Sequence, residues 1–427
     1  MELDFLLPKG VRIIPPSLAD ARERVKEIIA TVFRRWGFRR VVTPTFEYYD
    51  DVYHKLDKWL GGAIVKMTER ETGRILVLRP DFTPQVAKIA STIMKDYPRP
   101  LRLFYYGFIY RWPLGVTHKV EKETYQAGLE LIGLDQPEAS SEMIAIAVEL
   151  LKEFKIEEWR IVVGHSGFIN SLLTGLSEDK KNEVLEILKR KESYRFKSID
   201  ISDAKHRDIL KDIFSFKGGV EVLDYLLKRV EGREDLFSVV SELKTIYGFL
   251  ERYNLTKGVV FDLSEPRGMF YHNGFLFEVF TEGAGRSVAF GGRYESLMEM
   301  YRRYEPAIGF GVNIDDILDV LIAQDRLPIS YGVDFLIIDT TESKDKGVYY
   351  ASLLRSKGYN VARDIVRRDI PGSIEYAKAM GIRKVLVITP ELLQLGKVRL
   401  VEIDESRDML LDESVFLNTY SLGGKVL

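Results

Sequence analysis

Five short stretches hold polar residues that could do chemistry: LRPDFTPQ (78–85), IYRWP (109–113), TYQAGLEL (124–131), EPRGMFYH (265–272) and GGRYES (291–296). They offer Asp81, Thr83, Arg111, Gln126, Glu130, Arg267, Tyr271, His272 and Tyr294. Carboxylates and amide oxygens can accept from an ammonium group. Guanidinium forks suit a carboxylate or another anion, and hydroxyls suit a polar ring edge. Taken singly, each has an ordinary reading. Thr83 serves as a helix N-cap, with Asp81 an alternative. Arg111 reads as a strand-end ion pair, Gln126 and Glu130 as one solvated strand face, and Arg267 as a turn residue between Pro266 and Gly268.

The common catalytic templates are absent. There is no GxxxxGK[ST] phosphate loop and no GxSxG elbow. GGR at 291–293 sits at a strand end and is not a dinucleotide fingerprint. The five histidines are scattered without metal-ligand spacing, and there are no cysteines, so neither a metal site nor a thiol nucleophile is expected. The acids Glu121 and Glu123 read as a solvated strand face.

The elements that must position these residues follow from periodicity. Residues 18–37 space their apolar side chains as a helix and end at Gly37. Residues 38–50 read as a strand broken by Pro44. Strands are expected at 74–81, 101–112 and 123–133, with helices at 83–96 and 138–154. Residues 165–253 read as a helical insertion interrupted by FKGGVEVL (216–223). Strand signals return at 258–264, 274–280 and 287–292. Strands clustered without crossover helices predict an antiparallel sheet. After a linker at 327–332, strand and helix alternate, which predicts a small α/β domain with a mostly parallel sheet. The organisation is thus α+β: a core over 1–326 and a C-terminal domain over 331–427.

Bulk properties exclude little but exclude it clearly. Of 427 residues, 46% are hydrophobic and 30% charged, the mix of a soluble globular protein. The net charge of −2 gives no argument for nucleic acid or an anionic membrane. No apolar run is long enough to span a bilayer and the start lacks a signal-peptide pattern, so a cytoplasmic location is expected.

Four segments resemble the histidyl-tRNA synthetase family: 15–47 its dimer-forming first signature, 104–133 its second, 261–280 its histidine-specific segment and 291–318 its third. LRPDFTPQVAKIA (78–90), DLSEPRG (262–268), YHNGFLF (271–277) and GHSGFINSLL (164–173) resemble one branch, the ATP phosphoribosyltransferase regulatory subunits. The resemblance implies a class II synthetase-like antiparallel core and an anticodon-binding-like C-terminal domain. It implies a homodimer that binds histidine at Asp81, Thr83, Arg111, Gln126, Glu130, Arg267, Tyr271 and Tyr294, with His272 where the family has a second Tyr. It further implies assembly with a short-form catalytic subunit at the first step of histidine biosynthesis, with no cofactor and no catalysis of its own.

The family's ATP grip is altered at four positions. Its third signature reads GFxxGLERL, whose Arg holds the ATP phosphates; GFGVNIDDI (309–317) puts Asp316 there. At ~4 Å and an effective dielectric of ~20, each unit-charge pair is worth roughly 4 kcal/mol, so an acid there should repel a triphosphate. Pro113 stands at an acidic position, Val120 at a basic one and Thr124 at the adenine-stacking one. The C-terminal domain carries 14 Lys+Arg and 14 Asp+Glu over 331–427, which argues against long-range attraction to RNA, although its presence keeps RNA binding open. An active histidyl-tRNA synthetase and a histidine- or RNA-binding module without the biosynthetic partner are the alternatives.

Overall fold

The computed structural model describes residues 7–60, 62–112, 121–266, 274–327, 332–366 and 368–422. Backbone contacts divide the chain into two units, residues 1–13 with 22–327, and residues 14–21 with 328–427. The first unit holds β1 (Arg39–Arg40), β2 (Phe46–Tyr48), β3 (Lys66–Thr68), β4 (Ile75–Leu78), β5 (Leu101–Tyr110), β6 (Glu123–Ile132), β7 (Trp159–His165), β8 (Lys217–Gly218), β9 (Val259–Asp262), β10 (Phe275–Thr281), β11 (Ala289–Arg293) and β12 (Ala307–Asn313). Nine of these form one sheet in the order β1-β5-β6-β12-β11-β10-β7-β9-β8. Within it the pairs β1–β5 and β7–β9 are parallel and the rest antiparallel. A small second sheet has the order β2-β4-β3.

Register gives the large sheet two different faces. Phe104, Leu129, Phe310 and Phe277 lie in one cross-strand row. Phe33, from helix Pro16–Arg35, packs edge-on against Phe104 (5.7 Å) and Phe310 (6.0 Å). Gly37 ends that helix with φ +80°, as a left-handed C-terminal residue should. The opposite face places Glu130 beside Gly309 and Gly128 beside Gly311. The glycines on this face leave space that the side chains of Glu130, Gln126 and Tyr105 occupy.

Two expected elements differ. The helix expected over 83–96 stops at Ser91, where the Thr92 hydroxyl takes the Lys88 carbonyl at 2.6 Å and turns follow. The strand over 38–50 becomes β1 and β2, in different sheets on either side of Pro44. Over 166–252 the expected helices form, including Ser166–Leu173, Glu178–Lys189, Val220–Arg229 and Glu234–Arg252.

The second unit contains β13 (Phe335–Asp339), β14 (Val361–Arg363), β15 (Lys384–Ile388), β16 (Lys397–Glu402) and β17 (Arg407–Asp412), in the order β14-β13-β15-β16-β17. Only β14, β13 and β15 run parallel; β16 and β17 close the sheet as an antiparallel hairpin. The mostly parallel sheet expected from sequence is therefore a mixed one. β17 is an edge strand with no fully buried residue, so RDMLLD carries no strong strand signal. Phe335 anchors the core of this unit, packed edge-on against Tyr359 (5.4 Å) and Tyr420 (5.2 Å). No helix among the described residues is long and apolar enough to cross a membrane.

Candidate functional site

The site is built around one buried carboxylate. Asp81 follows β4, and its Oδ1 accepts the Thr83 N–H at 3.0 Å, just ahead of helix Thr83–Ser91, whose N-cap residue is Phe82. That leaves the Thr83 hydroxyl for another partner. It donates to Glu130 Oε1 at 2.8 Å. The Tyr105 hydroxyl donates to the same oxygen at 3.2 Å, and the Tyr294 hydroxyl lies near enough to lower the carboxyl's pKa. Glu130 is 1% exposed. Burial pushes its pKa up to about 8, against the lowering effect of the Tyr294 and Thr83 hydroxyls; the nearby Asp81 charge adds to the rise. At neutral pH it is mainly a neutral acid, able to give a proton or a hydrogen bond to a basic ring nitrogen.

Glycines make the room. A Cβ at Gly309 would lie 1.8 Å from Glu130 Oε2, and one at Gly311 would lie 2.7 Å from Gln126 Nε2. A Cβ at Gly128 would meet the Tyr105 hydroxyl at 2.4 Å. Tyr105 is held in turn by a stack. Its ring lies 4.3 Å from that of Phe82 at 14°, and the Arg79 guanidinium sits 3.9 Å above Phe82. Arg79 donates to the carbonyls of Phe108, Thr43 and Pro44, so this cation is fixed by dipoles.

The other expected residues divide into groups. Asp81 Oδ2 pairs with Arg111 Nη2 at 3.0 Å, and Arg111 Nε donates to the Pro80 carbonyl at 2.7 Å. Arg111 thus serves as a strand-end ion pair here, beside the pocket. Gln126 and Thr124 lie on the same sheet face as Glu130. Gln126 Oε1 is buried without a hydrogen-bond partner among the described residues, an acceptor available to a ligand N–H. Arg267, Tyr271, His272, Pro113 and Val120 lie outside the described residues.

Asp316 is not a bare charge. Asn313 caps its helix, and Arg286 grips the carboxylate through Nε at 2.7 Å and Nη2 at 2.8 Å. The same Arg286 Nη2 takes Glu121 Oε2 at 2.6 Å. The local field expected from an unpaired acid is therefore reduced by the Arg286 guanidinium. Glu121 is an ion-pair partner and not the solvated face expected of it. Arg286 is in turn committed to two acids. The sequence reading missed Tyr105 and Arg286. Tyr105 was legible as the site-facing residue of an alternating strand, between Leu103 and Gly107. Arg286 sits in a glycine-rich turn and carries no local signal. No cluster of metal-ligating side chains occurs among the described residues.

Comparison with known proteins identifies the frame. A family model described as histidyl-tRNA synthetase matches residues 10–317. The ATP phosphoribosyltransferase regulatory subunit of Geobacter metallireducens is 34% identical over 422 residues, 97% of each chain. The chain belongs to the ATP phosphoribosyltransferase regulatory subunit family. Members extend to Bacillus subtilis, whose regulatory subunit is 30% identical over 376 residues, 86% of this chain and 92% of that one. A solved ATP phosphoribosyltransferase regulatory subunit/histidyl-tRNA synthetase from Bacillus halodurans superposes with a TM-score of 0.76 at 25% identity, over 91% of this chain and 99% of that one. Histidyl-tRNA synthetase from Nostoc, at 20% identity and a TM-score of 0.79, shares the class II fold over 97% of this chain and 98% of its own.

Proposed function

We propose that this protein is the regulatory subunit of an ATP phosphoribosyltransferase, a homodimer that binds free histidine and passes its occupancy to a catalytic partner at the first step of histidine biosynthesis. The observation that carries the reading is the Glu130 pocket inside a chain similar over nearly its whole length to such subunits. A neutral acid among three hydroxyls suits the two ring nitrogens of histidine, one as acceptor and one as donor. Asp81 and the buried Gln126 oxygen suit the ammonium end.

The same reading assigns no catalysis to the chain. Adenylation needs cations on the phosphates as charge develops, and losing such contacts costs orders of magnitude. Arg286, the cation paired with Asp316, is also held by Glu121. Regulation requires only that histidine bind one state of the assembly better than another; a coupling of ~1–3 kcal/mol suffices. The test has two arms. The purified chain should co-migrate with a short-form catalytic subunit on size exclusion, and it should show no histidine-dependent pyrophosphate exchange with ATP. Charging of tRNA with histidine would overturn the reading.

A further inference from the structure

Two hydroxyls reach Glu130 from different elements, and both reach the same oxygen. Thr83 donates to Oε1 at 2.8 Å and Tyr105 donates to it at 3.2 Å. Oε2 lies on the side of Gly309 and is buried without a hydrogen-bond partner among the described residues. A protonated carboxyl has one oxygen that only accepts and one that also donates. With both hydroxyls donating to Oε1, the proton of the neutral acid belongs on Oε2, where it can meet a ligand nitrogen. Thr83 is fixed by the helix it opens. Tyr105 comes from β5, and its long side chain must be held over Gly128, where a Cβ would lie 2.4 Å from the hydroxyl.

The support is a set of three side chains in contact. The Tyr105 ring stacks on Phe82 at 4.3 Å and 14°, and the Arg79 guanidinium lies 3.9 Å from the centre of the Phe82 ring. Arg79 is buried and spends its whole fork on anchoring itself. Nε and Nη2 donate to the Phe108 carbonyl at 3.0 and 2.7 Å. Nη1 donates to the Thr43 carbonyl at 3.2 Å, and to the Thr43 hydroxyl and the Pro44 carbonyl at 3.1 Å. Every one of these acceptors is neutral. Burying a cation without an acid is costly, and burial draws this guanidinium below its usual pKa. What the arrangement supplies is a rigid cation against an aromatic face. Gly107 makes room for it: a Cβ there would lie 3.1 Å from both Arg79 Nη2 and Phe82 Cζ. Gly107 stands directly opposite Gln126, so the support adjoins the pocket on a second side.

We propose that Arg79 and Tyr105 are positioning residues of the amino-acid pocket: the anchored guanidinium holds Phe82, Phe82 holds the Tyr105 ring, and the Tyr105 hydroxyl occupies Glu130 Oε1 so that Oε2 presents its proton to the imidazole. This rests on the reading of the pocket as a histidine site. Arg79 acts through Phe82 and Tyr105, not on the carboxyl itself. The titratable groups around Glu130 are Asp81, Tyr105 and Tyr294, and Asp81 is paired with Arg111. The Tyr105 hydroxyl favours the carboxylate form, so removing it keeps Glu130 neutral to higher pH.

The test is a double-mutant cycle on the full chain. Histidine is titrated calorimetrically between pH 6 and 9 into wild type, Tyr105→Phe, Arg79→Lys and the double variant. Tyr105→Phe keeps the stacked ring and loses only the hydroxyl. It should weaken binding at pH 7 about fivefold and move the loss of affinity at high pH to still higher pH. Arg79→Lys keeps the charge and loses the fork. It should weaken binding in the wild-type background and add nothing in the Tyr105→Phe background. A merely structural role would leave the pH profile in place and give additive losses. Tyr105→Phe with wild-type affinity and an unshifted profile overturns the proposal and leaves the histidine reading standing. Additive losses overturn it for Arg79. A wild type that binds no histidine overturns both the proposal and the reading. If Arg79→Lys does not fold, Phe82→Leu breaks the same stack and takes its place in the cycle.

Discussion

Histidine affinity should fall as pH rises above 8, and Glu130 should be the reason. The side chain is fully buried and its pKa is pushed up to about 8 by burial. A group with that pKa holds its proton in roughly 90% of molecules at pH 7 and in roughly 10% at pH 9. Inside the complex, Glu130 and the imidazole ring share one proton, whichever of the two carries it. Binding at high pH must therefore first return that proton. From pH 7 to pH 9 the apparent affinity should drop about tenfold through this group, equivalent to about 1.4 kcal/mol. The ligand's own ammonium titrates in the same range, so Glu130→Gln is the control. The variant keeps the ligand's share of the pH dependence and loses the protein's. Calorimetry at pH 8.5 in two buffers of different ionisation enthalpy should show wild type taking up roughly 0.8 proton more than the variant. Parallel pH profiles for wild type and Glu130→Gln between pH 6 and 9, or affinity that rises with pH, would refute the reasoning.

Other consequences follow from the same geometry. The unfolded Glu130 ionises near 4.5 and the folded one near 8, so this group makes the fold progressively less stable as pH rises through that window, by on the order of 5 kcal/mol in total. Urea unfolding should accordingly find Glu130→Gln more stable than wild type at pH 8 and nearly equal to it at pH 4.5; a smaller advantage at pH 8 than at pH 4.5 would contradict the assignment. Gly309→Ala should abolish histidine binding and lower stability by roughly 1–3 kcal/mol, because its Cβ would sit 1.8 Å from Glu130 Oε2 and 2.4 Å from the Leu129 carbonyl. Arg286→Ala should cost roughly 1 kcal/mol in denaturant unfolding, since it removes a half-exposed guanidinium from the buried Asp316; a stabilising effect would contradict the pairing.

Most of the strands and helices were legible because each repeats its apolar residues at its own period. Thr83 was legible only in part. As a helix-start threonine it reads as a cap, but it is the first helical residue, its N–H goes to Asp81, and its hydroxyl is left for Glu130. Gly309 and Gly311 were visible as letters of a motif, but their purpose depends on standing opposite Glu130 and Gly128, a register set by pairing between strands some 180 residues apart. Asp316 shows the limit most clearly. Its chain neighbours identify the acid, while the arginine that neutralises it comes from the turn before β11, thirty residues back. Long-range ion pairs leave no periodicity to read. β17 was missed for the opposite reason, since an exposed edge strand has no buried row to reveal it.

The central claim is that this chain regulates and does not catalyse. It is tested most directly by mixing the purified chain with a short-form ATP phosphoribosyltransferase catalytic subunit and following product formation at increasing histidine. The account predicts that the chain alters the partner's rate, that histidine then modulates it, and that Glu130→Gln weakens the histidine response while the two proteins still assemble. A partner whose rate and histidine response are the same with and without this chain would contradict it.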